Sequence, residues 1–209
     1  ATPGADGGLW GVLPLACHPR QPHGTFRHRA GRARSRAARR MFWSGFGRIG
    51  RETAKIALGL GMEVLAFDLS AVPAELELQL AGNIRVAVPV HAMDVQQLIK
   101  SADFISLHVP FAERPVLGKE EFGLMKKGVG IVNCSRGGTI DEEALLEALN
   151  DGTVSFAGLD VFANEPTPRE DLLSHPKVSL TPHIGASTDE AQERIGTELA
   201  NLIISHFKA

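Results

Sequence analysis

The chain has 209 residues, 44% of them apolar and 22% charged, which is ordinary for a globular protein of one domain with appendages. Its formal net charge of −2 indicates no particular class of partner. No apolar run approaches the roughly 18 residues of a membrane span, and Cys17 and Cys134 have no spacing typical of a metal site or a disulfide framework. We therefore expect a cytoplasmic protein with no metal and no membrane contact.

The charge is distributed unevenly along the chain. Residues 1–40 contain eight arginines, no lysine and one acid, Asp6, and so carry a net charge of +7 against −9 for the remainder. No apolar periodicity runs through residues 27–40, which predicts a disordered segment. Charge alone leaves a nucleic-acid-binding arm or a transit peptide open. We interpret residues 1–40 as an aberrant, mis-joined segment and expect no nucleic-acid partner.

A glycine-rich loop lies between a predicted strand and a predicted helix. The strand covers residues 41–43, and the loop has glycines at Gly45, Gly47 and Gly50. The helix that follows ends near Gly61, at the position of a C-terminal cap. The residues predicted to share one face of this helix are Ile49, Thr53, Ile56, Ala57 and Leu60.

The loop and the next strand have the order of a dinucleotide-binding unit. Residues 63–67 form a predicted strand that ends at Asp68. In such units the glycines permit a tight turn, close approach to a pyrophosphate and close helix packing, while the helix N-terminus attracts the phosphates. Asp68 would bind the ribose hydroxyls and repel a 2′-phosphate, which favours NAD over NADP. A plain glycine turn is the alternative interpretation.

Strand and helix patterns continue to alternate along the chain. The predicted helices cover 94–100, 119–127 and 142–150, and the predicted strands cover 104–107, 129–132, 154–159 and 178–180. Such alternation predicts an α/β fold, a doubly wound parallel sheet forming a Rossmann-like domain over residues 41–186. Ligands of these sheets bind beyond the carboxyl ends of the strands. The polar residues that follow the strands, and should converge there, are Asp68, His108, Arg136, Asp160 and His183.

Three of the polar side chains point to a reaction type. Arg136, in a glycine-flanked loop, could bind a carboxylate through two hydrogen bonds and polarise an adjacent carbonyl. His183 could give or take the proton of an alcohol, and Glu165 would orient the imidazole and favour its charged form. Taken singly, each has an ordinary surface or loop interpretation. Together with an NAD loop they indicate oxidation of a 2-hydroxy acid or reduction of a 2-keto acid.

Four stretches resemble the D-isomer-specific 2-hydroxyacid dehydrogenases: GFGRIGRETAKIALGLGMEVLAFD, ADFISLHVP, LMKKGVGIVNCSRGGTIDEEAL, and FAGLDVFANEP with TPHIGASTDEAQERIG. The phosphoglycerate dehydrogenase branch is the most similar. The resemblance implies an NAD-dependent oxidoreductase with a catalytic triad of Arg136, Glu165 and His183, acting on 3-phosphoglycerate in serine biosynthesis. The formate dehydrogenase branch has Gln where Glu165 stands, which argues against formate.

The resemblance also implies a set of NAD contacts along the carboxyl edge of the sheet. The pyrophosphate would lie on the glycine loop, the ribose at Asp68 and the carboxamide at Asp160. The complete implied set is Gly45, Gly47, Arg48, Ile49, Gly50, Asp68, His108, Val109, Pro110, Cys134, Ser135, Arg136, Asp160, His183, Ile184, Gly185 and Ala186.

The last segment, residues 187–209, is a predicted amphipathic helix. Ser187 and Glu190 have the spacing of a capping box. Its apolar stripe consists of Ala191, Ile195, Leu199, Leu202, Ile203 and Phe207. The resemblance assigns this helix to a second, substrate-binding domain whose N-terminal part is expected to be largely missing, so the chain is expected to bind NAD and to turn over substrate slowly or not at all. An uncovered stripe predicts association into a homo-oligomer.

Two functional alternatives to a 3-phosphoglycerate dehydrogenase stay open at this point, besides a damaged product with no function. One is an NAD-binding fragment or a non-enzymatic NAD-sensing module, like the corepressor relatives of the family, because fold alone does not decide activity. The other keeps the reaction and changes the small-molecule substrate to glycerate, hydroxypyruvate or lactate.

Overall fold

The structure is a computed structural model that describes residues 40–70, 72–110 and 113–207, without the side chains of 42–44. The prediction of disorder for residues 1–40 therefore lies outside the described residues, apart from Arg40. That residue begins the first strand, where its backbone N–H donates to Asp103 and its side chain to Glu63.

The described chain alternates strands and helices almost throughout. In chain order the elements are β1 (Arg40–Ser44), α1 (Arg48–Gly59), β2 (Glu63–Phe67), β3 (Glu75–Gln79), β4 (Arg85–Pro89), β5 (His91–Ala92), α2 (Val95–Ser101), β6 (Phe104–Leu107), α3 (Lys119–Leu124), β7 (Val129–Asn133), α4 (Glu142–Asn150), β8 (Val154–Leu159), α5 (Glu170–Leu173), β9 (Val178–Leu180) and α6 (Asp189–Phe207).

Seven of the strands form one parallel sheet in the order β5-β2-β1-β6-β7-β8-β9. The chain winds outward from β1 to β2 and β5, and then from β6 to β9 in the other direction. This reversal between β1 and β6 creates the crevice in which doubly wound sheets bind ligands. The predicted Rossmann-like α/β fold is confirmed, and the strand ends carrying the candidate residues all lie at one edge.

The core is deepest around the central strands β6, β7 and β8. Ile105, Leu107, Val129 and Ile131 are fully buried there, and Leu145 of α4 packs in the same cluster. Asp141 caps α4 as predicted, because its carboxylate accepts hydrogen bonds from Glu143 N and Ala144 N.

Helix α1 forms where it was predicted, but Ala57 is the only residue of the predicted apolar face that is buried. Its buried residues are Gly50, Ala54 and Ala57, whereas Ile49, Ile56 and Leu60 are 72%, 66% and 68% exposed. Small residues at this spacing let the helix approach β1 and β2 closely, which bulky side chains would prevent. The large side chains of Ile49, Ile56 and Leu60 therefore form an exposed stripe beside the helix face that contacts the sheet.

The part of the chain that connects β2 to β5 forms a separate antiparallel hairpin of β3 and β4, which was not predicted. Leu76 of this hairpin is buried in a second apolar cluster, which also contains Phe46, Ala54 and Val64. A short 3₁₀ turn over Ala81–Asn83 connects the two strands.

The bounds of α3 and α6 differ from the predictions by two residues or more. α3 ends at Leu124 and not at 127, because Met125 is already extended. The predicted capping box from Ser187 to Glu190 is wrong: α6 begins at Asp189, and Thr188 is the cap, with its side chain accepting from Ala191 N and its carbonyl from Gln192 N.

The predicted stripe on α6 faces outward. Ile195, Leu199, Leu202 and Ile203 are half exposed or more, and Phe207 is 80% exposed. Among the described helices, α6 included, we find none with the length and apolar character needed to cross a membrane.

Candidate active site

The glycine loop between β1 and α1 has the shape of a pyrophosphate site. Gly45 has a φ of +90°, and a Cβ there would lie 2.4 Å from the carbonyl oxygen of His108, so the loop rests directly on the end of β6. A Cβ at Gly47 would meet no described atom within 4 Å, which leaves the outer side of the turn open.

The start of α1 suits an anion. Within the described chain, α1 has no side-chain cap at Gly47 and no acid in its first turn. No acid of its own first turn therefore competes for its first backbone N–H groups and the positive end of its dipole, and Glu198 of α6 pairs with the Arg48 side chain at 3.6 Å. Arg48 and Ile49 are exposed beside them. These residues fit the pyrophosphate of NAD.

Asp68 lies at the end of β2 and is tied to the glycine loop. Its carboxylate accepts hydrogen bonds from Phe46 N at 2.5 Å and from Ser70 N at 2.8 Å. The side chain is half-buried, next to the turn in which the pyrophosphate fits. This arrangement suits the ribose hydroxyls of NAD.

His108 begins the loop after β6, and Val109 and Pro110 follow it. Its Nε2 lies 2.9 Å from the hydroxyl of buried Ser106. Burial lowers the pKa of His108 to about 4, so the imidazole is neutral at physiological pH. His108 therefore contributes an uncharged side chain to the crevice at the end of β6.

The loop carrying Arg136 is fixed by the buried side chain of Asn133 at the end of β7. The amide nitrogen of Asn133 donates to the carbonyl of Arg136 and to the hydroxyl of Thr139, and its oxygen accepts from Ser135 N and Oγ. Thr139 Oγ1 also donates to the Arg136 carbonyl at 2.7 Å. The backbone of the loop is thereby held from inside.

The side chain of Arg136 points out of this anchored loop. It is exposed, it donates to the carbonyl of Ser135 at 2.7 Å, and it forms no ion pair with any carboxylate of the described residues. Such a guanidinium is available to a carboxylate ligand. Beside it, desolvation and the negative charge of Asp160 raise the pKa of Cys134, so this exposed thiol stays protonated.

Gly137 joins the Arg136 loop to the loop that carries Glu165. A Cβ at Gly137 would lie 1.8 Å from the carbonyl oxygen of Phe162, so only glycine permits this approach. Ala163, which follows Phe162, donates its N–H to the carboxylate of Glu142 at the start of α4. The loop that carries Glu165 is thus held against both the Arg136 loop and the start of α4.

His183 and Glu165 form a hydrogen-bonded pair. His183 Nδ1 lies 2.8 Å from Glu165 Oε2, while Glu165 Oε1 accepts from Phe162 N. Burial tends to raise the pKa of Glu165, but the hydrogen bonds from His183 and Phe162 and the His183 charge bring it below its usual value. Glu165 is therefore ionised at neutral pH and holds Nδ1, which leaves Nε2 of His183 for a ligand.

Asp160 follows β8 and is almost fully buried. Its Oδ1 accepts from Thr181 Oγ1 and Ile184 N, and its Oδ2 accepts from Gly185 N. The tendency of burial to raise the pKa of Asp160 is outweighed by these bonds and by the His183 charge, so its pKa lies below the usual value.

The structure thus brings the residues singled out in the sequence to one edge of the sheet. Arg136, Glu165 and His183 follow the adjacent strands β7, β8 and β9, and the glycine loop follows β1. Sequence reasoning missed Asn133, Thr139 and Thr181, which hold the loops. A polar residue that ends a buried strand just before a glycine-flanked loop is the signal that could have revealed Asn133. The described residues contain no cluster of three or more His, Cys, Asp or Glu side chains able to hold a metal.

Comparison with known proteins identifies a family match over most of the chain. The profile described as "D-isomer specific 2-hydroxyacid dehydrogenase, NAD binding domain" matches residues 16–185. The match ends beside Ala186 and extends at its start into residues 1–40, which we interpret from the sequence as an aberrant segment.

Two curated relatives are similar over about three quarters of the chain. A hydroxypyruvate reductase of Thermotoga maritima is 49% identical over 168 residues, which cover 78% of this chain and 51% of that protein. A D-3-phosphoglycerate dehydrogenase of Methanocaldococcus jannaschii is 45% identical over 161 residues, covering 76% of this chain and 29% of that protein. The chain spans about half the length of these relatives or less.

Solved structures give the same result. A glyoxylate reductase from Paecilomyes thermophila superposes with a TM-score of 0.70 and 34% identity, covering 80% of this chain and 48% of that one. A D-lactate dehydrogenase from Aquifex aeolicus, complexed with NAD and lactic acid, superposes with a TM-score of 0.67 and 30% identity, covering 81% and 53%.

Proposed function

The chain belongs to the D-isomer-specific 2-hydroxyacid dehydrogenase family and carries its NAD-binding domain, and we propose that it supplies the NAD site and the acid–base pair of a dehydrogenase for a small 2-hydroxy acid. The observation that carries this proposal is the hydrogen bond of 2.8 Å between His183 and Glu165. It lies at the same sheet edge as the glycine loop.

Each of the three polar residues has a distinct task in this proposal. Bound NAD supplies the hydride acceptor for oxidation of the substrate alcohol, and NADH the donor for the reverse reaction. His183 takes the hydroxyl proton during oxidation and returns it during reduction. Glu165 fixes the ring through Nδ1 and stabilises the imidazolium. Arg136 binds the substrate carboxylate through its two-pronged guanidinium.

The acid we propose as substrate is 3-phosphoglycerate, with 3-phosphohydroxypyruvate as its keto partner. Several D-3-phosphoglycerate dehydrogenases are 39% to 46% identical to this chain. Hydroxypyruvate is the second candidate, because the relative named for it is 49% identical. We also propose a homo-oligomer, since α1 and α6 both expose apolar stripes.

The experiment is a titration of the purified chain with NADH, followed by nicotinamide fluorescence, with 3-phosphohydroxypyruvate or hydroxypyruvate then added to separate samples. Saturable binding and faster NADH consumption with the phosphorylated acid support the proposal. His183→Ala should abolish consumption and leave the NADH Kd within about twofold, because the ring acts on the proton and not on the glycine loop.

Three results would contradict parts of this proposal. Equal turnover by His183→Ala would remove the acid–base role. Saturable NADH binding without consumption of either keto acid would contradict the dehydrogenase and favour a non-enzymatic NAD-binding module. A higher kcat/KM for hydroxypyruvate would change the substrate and leave the reaction in place.

A further inference from the structure

The carboxylate of Asp160 is already used by hydrogen bonds within the protein. Asp160 is only 3% exposed. Its Oδ1 accepts from Ile184 N at 2.9 Å and from the hydroxyl of Thr181, and its Oδ2 accepts from Gly185 N at 2.8 Å. The donors lie on both sides of His183 in the sequence, so one carboxylate holds the loop before and after the proposed acid–base residue.

The backbone of His183 needs such support. Its φ is +53°, in the left-handed region that residues with a Cβ rarely adopt. A conformation of this kind persists only where surrounding contacts enforce it. The fit is close on the far side of the loop as well, because a Cβ at Gly185 would lie 2.9 Å from Asp160 Oδ2.

We propose that Asp160 is a positioning residue, whose carboxylate holds the 181–185 loop so that His183 keeps its left-handed backbone and its Nδ1 faces Glu165. This deepens the proposed function and rests on it for the role of His183. It differs from the role that family resemblance implies for Asp160, that of a ligand to the nicotinamide carboxamide. The distinction is measurable because one role acts on His183 and the other on cofactor affinity.

The decisive variant is Asp160→Asn, which has nearly the same shape. An Asn can still accept from Ile184 N through its carbonyl oxygen, but its NH₂ group then faces Gly185 N, and two donors cannot bond each other. The matched control is Asp171→Asn, because Asp171 is an exposed carboxylate paired with Arg169 on the surface.

The first readout needs no turnover. In the ¹⁵N-labelled chain, we expect the amides of Ile184 and Gly185 to be protected from hydrogen exchange. Asp160→Asn should accelerate exchange at Gly185 by about tenfold or more, as expected for loss of a charge-assisted hydrogen bond. The ring ¹⁵N spectrum of His183 should show a protonated, hydrogen-bonded Nδ1 in the wild type and lose this signature in Asp160→Asn. Asp171→Asn should match the wild type in both measurements.

The second readout separates positioning from cofactor binding. With NADH and a keto acid, Asp160→Asn should lower kcat while the NADH Kd stays within about twofold, since the residue acts through His183. If the wild type consumes no keto acid, the proposed function fails, and the exchange and ring measurements still decide the role of Asp160.

Three results would overturn the positioning role. Amides of Ile184 and Gly185 that are unprotected in the wild type would overturn it, as would unchanged exchange and ring spectra in Asp160→Asn. The third is a NADH affinity weakened tenfold with unaltered His183 signals, which would restore the carboxamide role.

Discussion

Two glycines of the same loop should respond to alanine in opposite ways. A Cβ at Gly45 would lie 2.4 Å from His108 O, on a backbone with φ of +90°. A Cβ at Gly47 would meet no described atom within 4 Å, on an extended backbone with φ of −70°. Gly45→Ala should therefore destabilise the fold, and Gly47→Ala should weaken NADH binding without destabilising it.

The magnitudes follow from these contacts. For Gly45→Ala, the left-handed backbone costs about 1–2 kcal/mol and the overpacking about 1–3 kcal/mol. At about 2–4 °C per kcal/mol in a chain of this length, the Tm should fall by about 4–20 °C. For Gly47→Ala, the less favourable helix cap is offset by the lower entropy of the unfolded chain, so the change stays within about 1 kcal/mol.

The assay combines thermal unfolding of the free proteins with NADH titration. We expect Gly47→Ala to unfold within about 3 °C of the wild type and to bind NADH at least about tenfold more weakly, a loss of about 1.4 kcal/mol. A Gly45→Ala protein as stable as the wild type would refute the close approach to His108. Unchanged NADH affinity in Gly47→Ala would refute the pyrophosphate site.

Three further predictions concern single polar residues. The free energy of unfolding should fall as the pH is lowered from 6.5 to about 4, because the unfolded chain binds a proton at His108 and the folded chain, in which the pKa of this residue is about 4, does not. The loss amounts to at most about 3 kcal/mol. Urea unfolding should show a smaller dependence of this free energy on pH for His108→Gln than for the wild type. Asp68→Asn should raise NADPH affinity relative to NADH by about tenfold, measured by paired titrations, since a repulsive charge is removed; an unchanged ratio would contradict the ribose role. Asn133→Asp should lower the free energy of unfolding by about 2–4 kcal/mol, because a buried carboxylate would face the Arg136 carbonyl, while Asn150→Asp at an exposed position serves as the control, and equal losses in the two variants would contradict the anchoring role.

The parts of the fold that were predictable are those set by local pattern. Alternating apolar strands and capped helices indicate a parallel sheet, and Asp141 and Gly61 mark helix ends by their own side-chain and backbone preferences. The hairpin β3–β4 was not predictable in the same way. Its strands are short, and Leu76 becomes buried only through long-range packing on α1.

The face of α1 shows where pattern reasoning fails. Hydrophobicity favours burial of Ile49, Ile56 and Leu60, but the sheet is too close for them, and Gly50, Ala54 and Ala57 form the contact. Interhelical and helix–sheet distances are tertiary properties that hydrophobic periodicity does not contain.

The candidate site also contains a part that could be predicted from the sequence and a part that could not. Arg136, Glu165 and His183 could be proposed from residue type and position after strands. The hydrogen bonds of Asp160 could not, because their partners lie 21 to 25 residues further along the chain, on another loop. The close contact of Gly137 with Phe162 is of the same kind, since it joins two loops that the sequence does not show to be neighbours.

Transfer of deuterium from [4,4-²H₂]NADH to 3-phosphohydroxypyruvate, followed by mass spectrometry of the product, tests hydride transfer itself. We expect a 2-hydroxy acid that carries one deuterium at carbon 2 with the wild-type chain and no labelled product with His183→Ala. NADH that binds saturably but leaves both 3-phosphohydroxypyruvate and hydroxypyruvate unlabelled would contradict this expectation.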